Sequence, residues 1–304
     1  MRSLPTITAI IPSKDRPDQV KSLIADLRRQ NFPQENLEIL VIDDGSTPPY
    51  RIEYPDIRLL RHETSQGTQR TRNHGLEAAR GEIAFMADDD IEIMGDDFLS
   101  RAVETMEKNP EIAMIFTRKI DVVNQEGKER RIDFSTMKPT FYSGDIVNCL
   151  FPPGPVDWGH GIHFSRREVV LTMGGYDEIY GLKGRGYSFR EESDLHARLR
   201  QQGHTLWYMP DLILKHHTIA PDSNENVARQ RLYWIAHNHV IFVRRYMTCW
   251  PLRAIGFLFD LAKFSWVRGR FRYSFSALKG YLAGWRNAFR DKGPGHNSWL
   301  QQNG

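Results

Sequence analysis

The sequence predicts an α/β fold: a mostly parallel sheet flanked by helices, followed by an α-helical C-terminal extension. Three observations carry this. First, β-branched runs of strand length alternate with segments whose apolar residues recur at helical spacing. Such alternation implies right-handed crossovers and a sheet covered on both faces. Second, three strand runs end in the polar loops PSKDRPD, DDGSTPP and DDD, which a parallel sheet gathers on the edge where ligands bind. Third, past His217 the alternation stops and the chain turns helical, aromatic and basic.

Taken in order, Ile7 to Ile11 is a short β-branched run, and Val20, Leu23, Ile24 and Leu27 behind it keep helical spacing. Asp15, ahead of Pro17, is the expected N-cap. A strand at Ile39 to Ile42, a strand near Ile57 to Leu60 and a helix around Gln69 to Ala79 follow. The strand Ile83 to Ala87 delivers Asp88, Asp89 and Asp90, and Phe98 to Met106 is helical again. From Lys119 to Pro155 the pattern weakens, with a polar turn at NQEGKER and a break at FPPGP. The stretch VDWGHGIHFSRREVVLTMGGYDE reads as a strand, a short helix from Arg167 to Met173 and a stop at Gly174 and Gly175. REESDLHARLRQQG opens another helix, with Leu195 and Leu199 on one face and Gly203 at its end. TLWYMPDLILKHH is then an apolar strand closing on two histidines.

A chain of 304 residues with 40% hydrophobic and 26% charged residues can bury a sizeable core, which argues against wholesale disorder. Two cysteines, Cys149 and Cys249, are too few for a disulfide framework and point to a reducing compartment. MRSLPTITAI lacks the apolar run of a signal peptide, so a cytoplasmic location is expected. The net charge of +3 is unevenly spread: Arg244 to Lys292 holds eleven Lys or Arg against Asp260 and Asp291, a balance of +9, leaving −6 for the rest.

Three like charges at the mouth of a buried strand are either a solvated acidic turn or a seat for a cation carrying an anionic ligand. Asp88 and Asp90 point the same way if the strand continues through them. VIDDGST alone is an Asp-Gly turn. The carboxylates of REESD are favoured in a first helical turn without any chemistry, and Arg72 with Asn73 in TRNHG alone is a helix surface pair.

In their order along the chain, however, IPSKDRP, VIDDGST, TRNHGLEAARGEIAFMADDD, GGYDE, REESDLHARLRQQGH and YMPDLILKHH resemble the family 2 glycosyltransferases, over roughly Thr6 to His217. The resemblance implies a GT-A fold, a Rossmann-like sheet, with a catalytic domain at 1–218 and the helical basic extension at 219–304. Within the first, a nucleotide-binding half ends near 118 and an acceptor half covers 119–218. It further implies an inverting hexosyl- or deoxyhexosyltransferase that uses a nucleotide-diphosphate sugar, a UDP- or dTDP-sugar ahead of a GDP-sugar, together with Mn²⁺ or Mg²⁺.

Residue by residue, the resemblance assigns Pro12, Ser13, Asp15, Arg16, Gly67, Arg72, Asn73, Asp88 and Asp89 to the nucleotide sugar, with Asp43 or Asp44 accepting from the base. The metal falls to Asp90 and Asp88, joined by His216 or, alternatively, His217. The catalytic base aligns with Glu192, where aspartate is more usual, and Asp194 is the second candidate. A binding protein without turnover is the competing function, since glutamate stands at the base position.

The extension is read on its own. ARQRLYWIAHNHVIFVRRYM is helical, and PLRAIGFLFDLAKFSWV is too interrupted by Arg253, Asp260 and Lys263 to span a bilayer. With Phe257, Phe259, Phe264 and Trp266 it reads as an interfacial helix ahead of the basic segment RGRFRYSFSALKGYLAGWRNAFR, which includes Arg268, Arg270 and Arg272. The expectation is a peripheral enzyme on the anionic inner face of the cell membrane, acting on a lipid-linked or surface glycan, or else on a small-molecule or protein acceptor. No nucleic acid is expected, because no recognition module accompanies the basic residues. Plain packing of the extension onto the catalytic domain is the alternative.

Overall fold

The computed structural model of the chain describes residues 6–52, 54–125, 128–133, 153–181, 189–219, 225–247, 249–252, 254–256 and 274–291. Its strands are β1 (Ile7–Ser13), β2 (Leu37–Asp43), β3 (Arg58–Arg61), β4 (Ile83–Met86), β5 (Ile91–Ile93), β6 (Ile112–Gln125), β7 (Lys128–Asp133), β8 (Gly154–Pro155), β9 (His163–Arg166) and β10 (Thr205–Ile219). They form one sheet in the order β3-β2-β1-β4-β9-β6-β10-β5, with β7 beside β6 and β8 beside β10. The first four strands of that path are parallel, as expected. Beyond them the sheet is mixed: β9 enters antiparallel between β4 and β6, β10 is parallel to β6, and β5 returns antiparallel to β10. The weak pattern after Lys119 conceals a hairpin, because the second half of β6 alternates polar residues and pairs with the charged β7. β6 also runs straight through residue 118, where the two halves were expected to divide.

Strand alternation sorts the core into two layers. Ile7, Ala9 and Ile11 of β1 meet Val20, Leu23, Ile24 and Leu27 of helix α1 (Pro17–Arg28) and Phe98, Leu99, Ala102 and Met106 of α3 (Phe98–Lys108). Ile10 points the other way, to Leu76 of α2 (Thr68–Ala78), Val170 of α4 (Arg167–Thr172) and Leu195 and Leu199 of α5 (Glu191–Gln201). The expected N-cap of α1 is corrected: the cap position is Arg16, with no side-chain hydrogen bond. Pro17 at the first turn has no N–H to satisfy. Asp15 instead adopts φ 56° and ties two loops, its amide donating to Ser46 Oγ at 2.9 Å and its carboxylate accepting from Thr47 N at 2.9 Å.

The extension forms a third core. Helices α6 (Glu225–Tyr246) and α7 (Ser274–Arg290) bury Ala236, Val240, Phe242, Ala277, Tyr281 and Ala288 around Tyr180, with Trp158 alongside. α7 lies so close to α6 that a Cβ at Gly284 would sit 2.6 Å from the His237 carbonyl oxygen. Part of the basic segment is therefore a packed helix. The expected interfacial stretch with Phe257, Phe259, Phe264 and Trp266, and Arg268, Arg270 and Arg272 after it, lie outside the described residues, as does Cys149. Among the described residues, no helix is long and apolar enough to cross a membrane.

Candidate active site

The carboxyl ends of β1, β2 and β4 open onto one cleft of about 650 Å³. Of the residues singled out in the sequence, it brings together Pro12, Ser13, Arg16, Asp44, Arg72, Asp88, Asp89, Asp90, Glu192 and His216. Asp15, Asp43, Gly67, Asn73, Asp194 and His217 do not line it.

The aspartate triplet divides its labour. Ligand atoms of Asp88, Asp90 and His216 all lie within 4.8 Å of one another. Two carboxylates and one imidazole are a donor set that suits a hard divalent cation, Mn²⁺ or Mg²⁺. The convergence is built by pairing: β5 returns along β10 with His216 opposite Ile91, and the His217 amide donates to the Asp90 carbonyl at 2.8 Å. Because neighbours on a strand face opposite ways, His216 points in while His217 points out to Glu92 Oε2 at 3.1 Å. The outer ring nitrogen of His216 meets Asp121 at 2.8 Å, and the inner one meets Asp90 at 3.1 Å. Burial opposes charging His216, yet these two carboxylates push its pKa up to about 9. Asp89 turns the other way, accepting from Ser13 Oγ at 2.5 Å and Arg16 Nη1 at 3.0 Å. Burial lifts Asp89 to about 6 against the pull of Ser13 and Arg16. Arg16 also donates to Asp90 at 2.8 Å, so a guanidinium already neutralises part of the cluster.

Across the cleft, Arg72 of α2 is 4% exposed and bridges the two walls, with Nη2 at 3.1 Å from Asp88 and Nη1 at 3.2 Å from Glu192. Glu191 lies 3.6 Å from the same guanidinium. Burial, and then Glu192, pushes Glu191 up to about 8, and its Oε2 has no hydrogen-bond partner. Glu192 keeps 30% of its side chain exposed to the cleft. The backbone at Gly161 passes so close that a Cβ there would fall on Glu192 Oε1. Asp194 is placed elsewhere, fully buried, accepting from Arg198 Nε and Arg245 Nη1 at 2.8 Å each and from the hydroxyls of Tyr180 and Tyr246. It ties α5 to α6 and does not line the cleft.

The turn after β2 is similarly split. Asp43 is wholly buried and closes the turn, accepting from Ser46 N at 2.8 Å and Tyr50 N at 3.2 Å. Asp44 reaches the cleft edge but accepts from Gln66 N, Gly67 N and Ser65 Oγ and pairs with His62. Burial opposes its ionisation, but these bonds hold its carboxyl far below the usual range. The Gly67 amide thus serves the loop. Asn73 faces away, its amide exchanging two bonds with the Tyr176 backbone at 2.8 and 2.7 Å.

Sequence reasoning missed Lys14, Lys119, His160, Gly161, Glu191 and Arg231, all of which line the cleft. Arg231 comes from α6, beyond every motif. Asp121 was also missed, although its pairing opposite His216 in β6 and β10 fixes that ring.

Comparison with known proteins gives three kinds of likeness. The sequence model described as glycosyl transferase family 2 matches residues 8–170. Among relatives, the O-antigen biosynthesis protein RfbC of Myxococcus xanthus is 24% identical over 258 residues, 78% of this chain and 19% of its own length. The GalNAc(5)-diNAcBac-PP-undecaprenol beta-1,3-glucosyltransferase of Campylobacter jejuni is 30% identical over 111 residues, 34% of each. The chain thus spans 19% and 34% of the length of these two. In solved structures, the mannosyltransferase PcManGT of Pyrobaculum calidifontis, in complex with GDP-Man and Mn²⁺, superposes with a TM-score of 0.56 at 15% identity, covering 96% of this chain and 89% of that one. That likeness is one of fold.

Proposed function

This chain belongs to glycosyl transferase family 2, and we propose that it moves a hexosyl or deoxyhexosyl group from a nucleoside-diphosphate sugar to an acceptor hydroxyl with inversion at the anomeric carbon. The observation that carries the reading is the meeting of Asp88, Asp90 and His216 on one wall of a cleft whose other wall presents Glu192. In this reading Asp88, Asp90 and His216 hold Mn²⁺ or Mg²⁺, which when bound supplies the positive charge that offsets the departing diphosphate. Glu192 takes the proton of the acceptor hydroxyl as that oxygen attacks the anomeric carbon, and inversion follows from attack opposite the leaving group. Arg72 steadies Glu192 and Asp88 together, so base and diphosphate seat keep one geometry. Ser13, Arg16 and the Asp44 loop border the nucleotide.

The donor is proposed to carry uridine or thymidine, and the acceptor to be a lipid-linked or surface glycan. The undecaprenol and O-antigen names of the two relatives support the acceptor class, while GDP-Man in the structural neighbour makes guanosine the necessary competitor. The test is a screen of uridine, thymidine and guanosine sugars for released nucleoside diphosphate, with Mn²⁺, Mg²⁺ and chelator. Metal-dependent release that Glu192→Gln suppresses supports the reading. Donor binding without release by the native chain would leave a nucleotide-sugar-binding protein instead.

A further inference from the structure

Helix α7 carries two apolar faces, and among the described residues only one of them is packed. Ala277, Gly280, Tyr281, Gly284 and Ala288 are buried, the face that packs on α6. Phe275, Leu278, Leu282 and Phe289, at helical spacing on a neighbouring stripe, are 64%, 39%, 58% and 64% exposed. Four large apolar side chains aligned in solvent over about 20 Å of helix are a binding face, not scattered surface residues.

Beside this stripe runs a row of positive charge. Lys279, Arg286 and Arg290 are exposed along one edge of it, and α7 contains no acidic residue. Lys279 Nζ lies 4.8 Å from the Phe275 ring centroid, and the Arg244 guanidinium lies 5.5 Å from that of Phe289. The Trp250 and Trp285 rings lie 4.4 Å apart, tilted by 45°, at the Phe289 end. An apolar stripe, flanking cations and tryptophans at its margin are what an anionic lipid surface accommodates, with acyl chains meeting the stripe and headgroup phosphates the cations.

We infer that the outward face of α7 docks flat on an anionic lipid bilayer. This surface does not depend on which sugar the enzyme moves, and it falls within the basic segment of the extension rather than in the stretch from Phe257 to Trp266, which lies outside the described residues. A polyanion without an apolar phase would leave the stripe bare. A second copy meeting the face across a twofold axis perpendicular to the helix would set the two basic rows against each other.

The experiment is flotation of the full chain with vesicles of phosphatidylcholine alone and of phosphatidylcholine with phosphatidylglycerol. The expected result is at least tenfold stronger partition onto the anionic vesicles, weakening as salt rises. The K279Q/R286Q/R290Q variant should lose about fivefold in partition per residue at low salt. F275S/L282S/F289S should lose binding at every salt concentration. These side chains are exposed, so melting curves and donor turnover should stay native. In the unaltered chain, brominated lipid should quench fluorescence, and Trp285→Phe should remove part of that quenching. No preference for anionic vesicles, or undiminished binding by both triple variants, would overturn the proposal. So would F275S/L282S/F289S converting a native dimer to monomer with no vesicle binding to lose, which would make the face an interface between copies.

Discussion

Glu192 and Asp194 are two residues apart, and their surroundings make them opposites. Glu192 opens on the cleft beside Arg72, while Asp194 is buried among Arg198, Arg245 and two tyrosine hydroxyls. Glu192→Gln should therefore keep nucleotide affinity and lose transfer by a factor on the order of 10² or more. Asp194→Asn should act on stability, since removing one partner of a buried ion pair costs about 3–5 kcal/mol. Turnover and melting temperature measured on both variants separate the roles; a stable but dead Asp194→Asn would reverse them. The histidines split in the same way. His216→Ala and Asp90→Asn should each abolish the calorimetric difference between nucleotide binding with and without Mn²⁺, and His217→Ala should leave it intact, because His217 faces Glu92.

Helices carry their own predictions. On α2, Glu77 is pushed up to about 7, by burial first and then by Glu178. A carboxyl whose folded pKa is raised binds its proton more tightly in the native state, so stability falls as pH rises from the unfolded value, about 4.3, to 7 and stays reduced above it. Glu77→Gln should thus raise the melting temperature at pH 8 and give little gain at pH 4. An equal gain at both would show that charge is not the cause. On α7, the closeness of Gly284 to the His237 carbonyl leaves no room for a methyl group. Gly284→Ala should destabilise the fold by about 1–3 kcal/mol through overpacking, measured by urea unfolding. The α-helical extension was legible as helix from its spacing, but which stripe packs and which stays outside was not, since both are apolar.

At the scale of the whole molecule, the extension and the catalytic part share charges. Arg245 of α6 joins Asp177 and Asp194 on one side to Asp291, just past α7, on the other. Arg231 of the same helix lines the cleft. Every motif assigned to nucleotide or metal lies at or before His217, so from sequence a chain ended at Met247 would keep the whole donor site. The ion pairs argue otherwise: a chain ended there strips Arg245 of Asp291 and bares the face of α6 that α7 covers. That truncation should melt at lower temperature than the full chain and lose donor turnover in proportion, read by calorimetry and nucleotide release together. An intact melt with native turnover would show the tail to be an independent appendage. In the full chain, Mn²⁺ with nucleoside diphosphate should raise the melting temperature by mass action, and chelator should remove the gain.

The sequence by itself determined the alternation of strands and helices, the edge on which the polar loops meet and the family, because these rest on local periodicity and on motifs contiguous in the chain. The resemblance already put Glu192 ahead of Asp194 and His216 ahead of His217; tertiary structure decided which member of each polar pair faces the cleft. That His216, Glu192 and Arg72 face the cleft while His217, Asp194 and Asn73 do not depends on the pleat of β10, the rotation of α5 and the packing of α2 against the loop at Tyr176. Asp121, Gly161 and Arg231 could not be found from their neighbours in sequence. Asp121 is set against His216 by pairing of β6 with β10, while Gly161 and Arg231 reach the cleft through a backbone crossing and through a helix from the far end of the chain. Sequence pattern records which face of an element is apolar; only the folded sheet and the packed helices select the residues from distant segments that share one cleft.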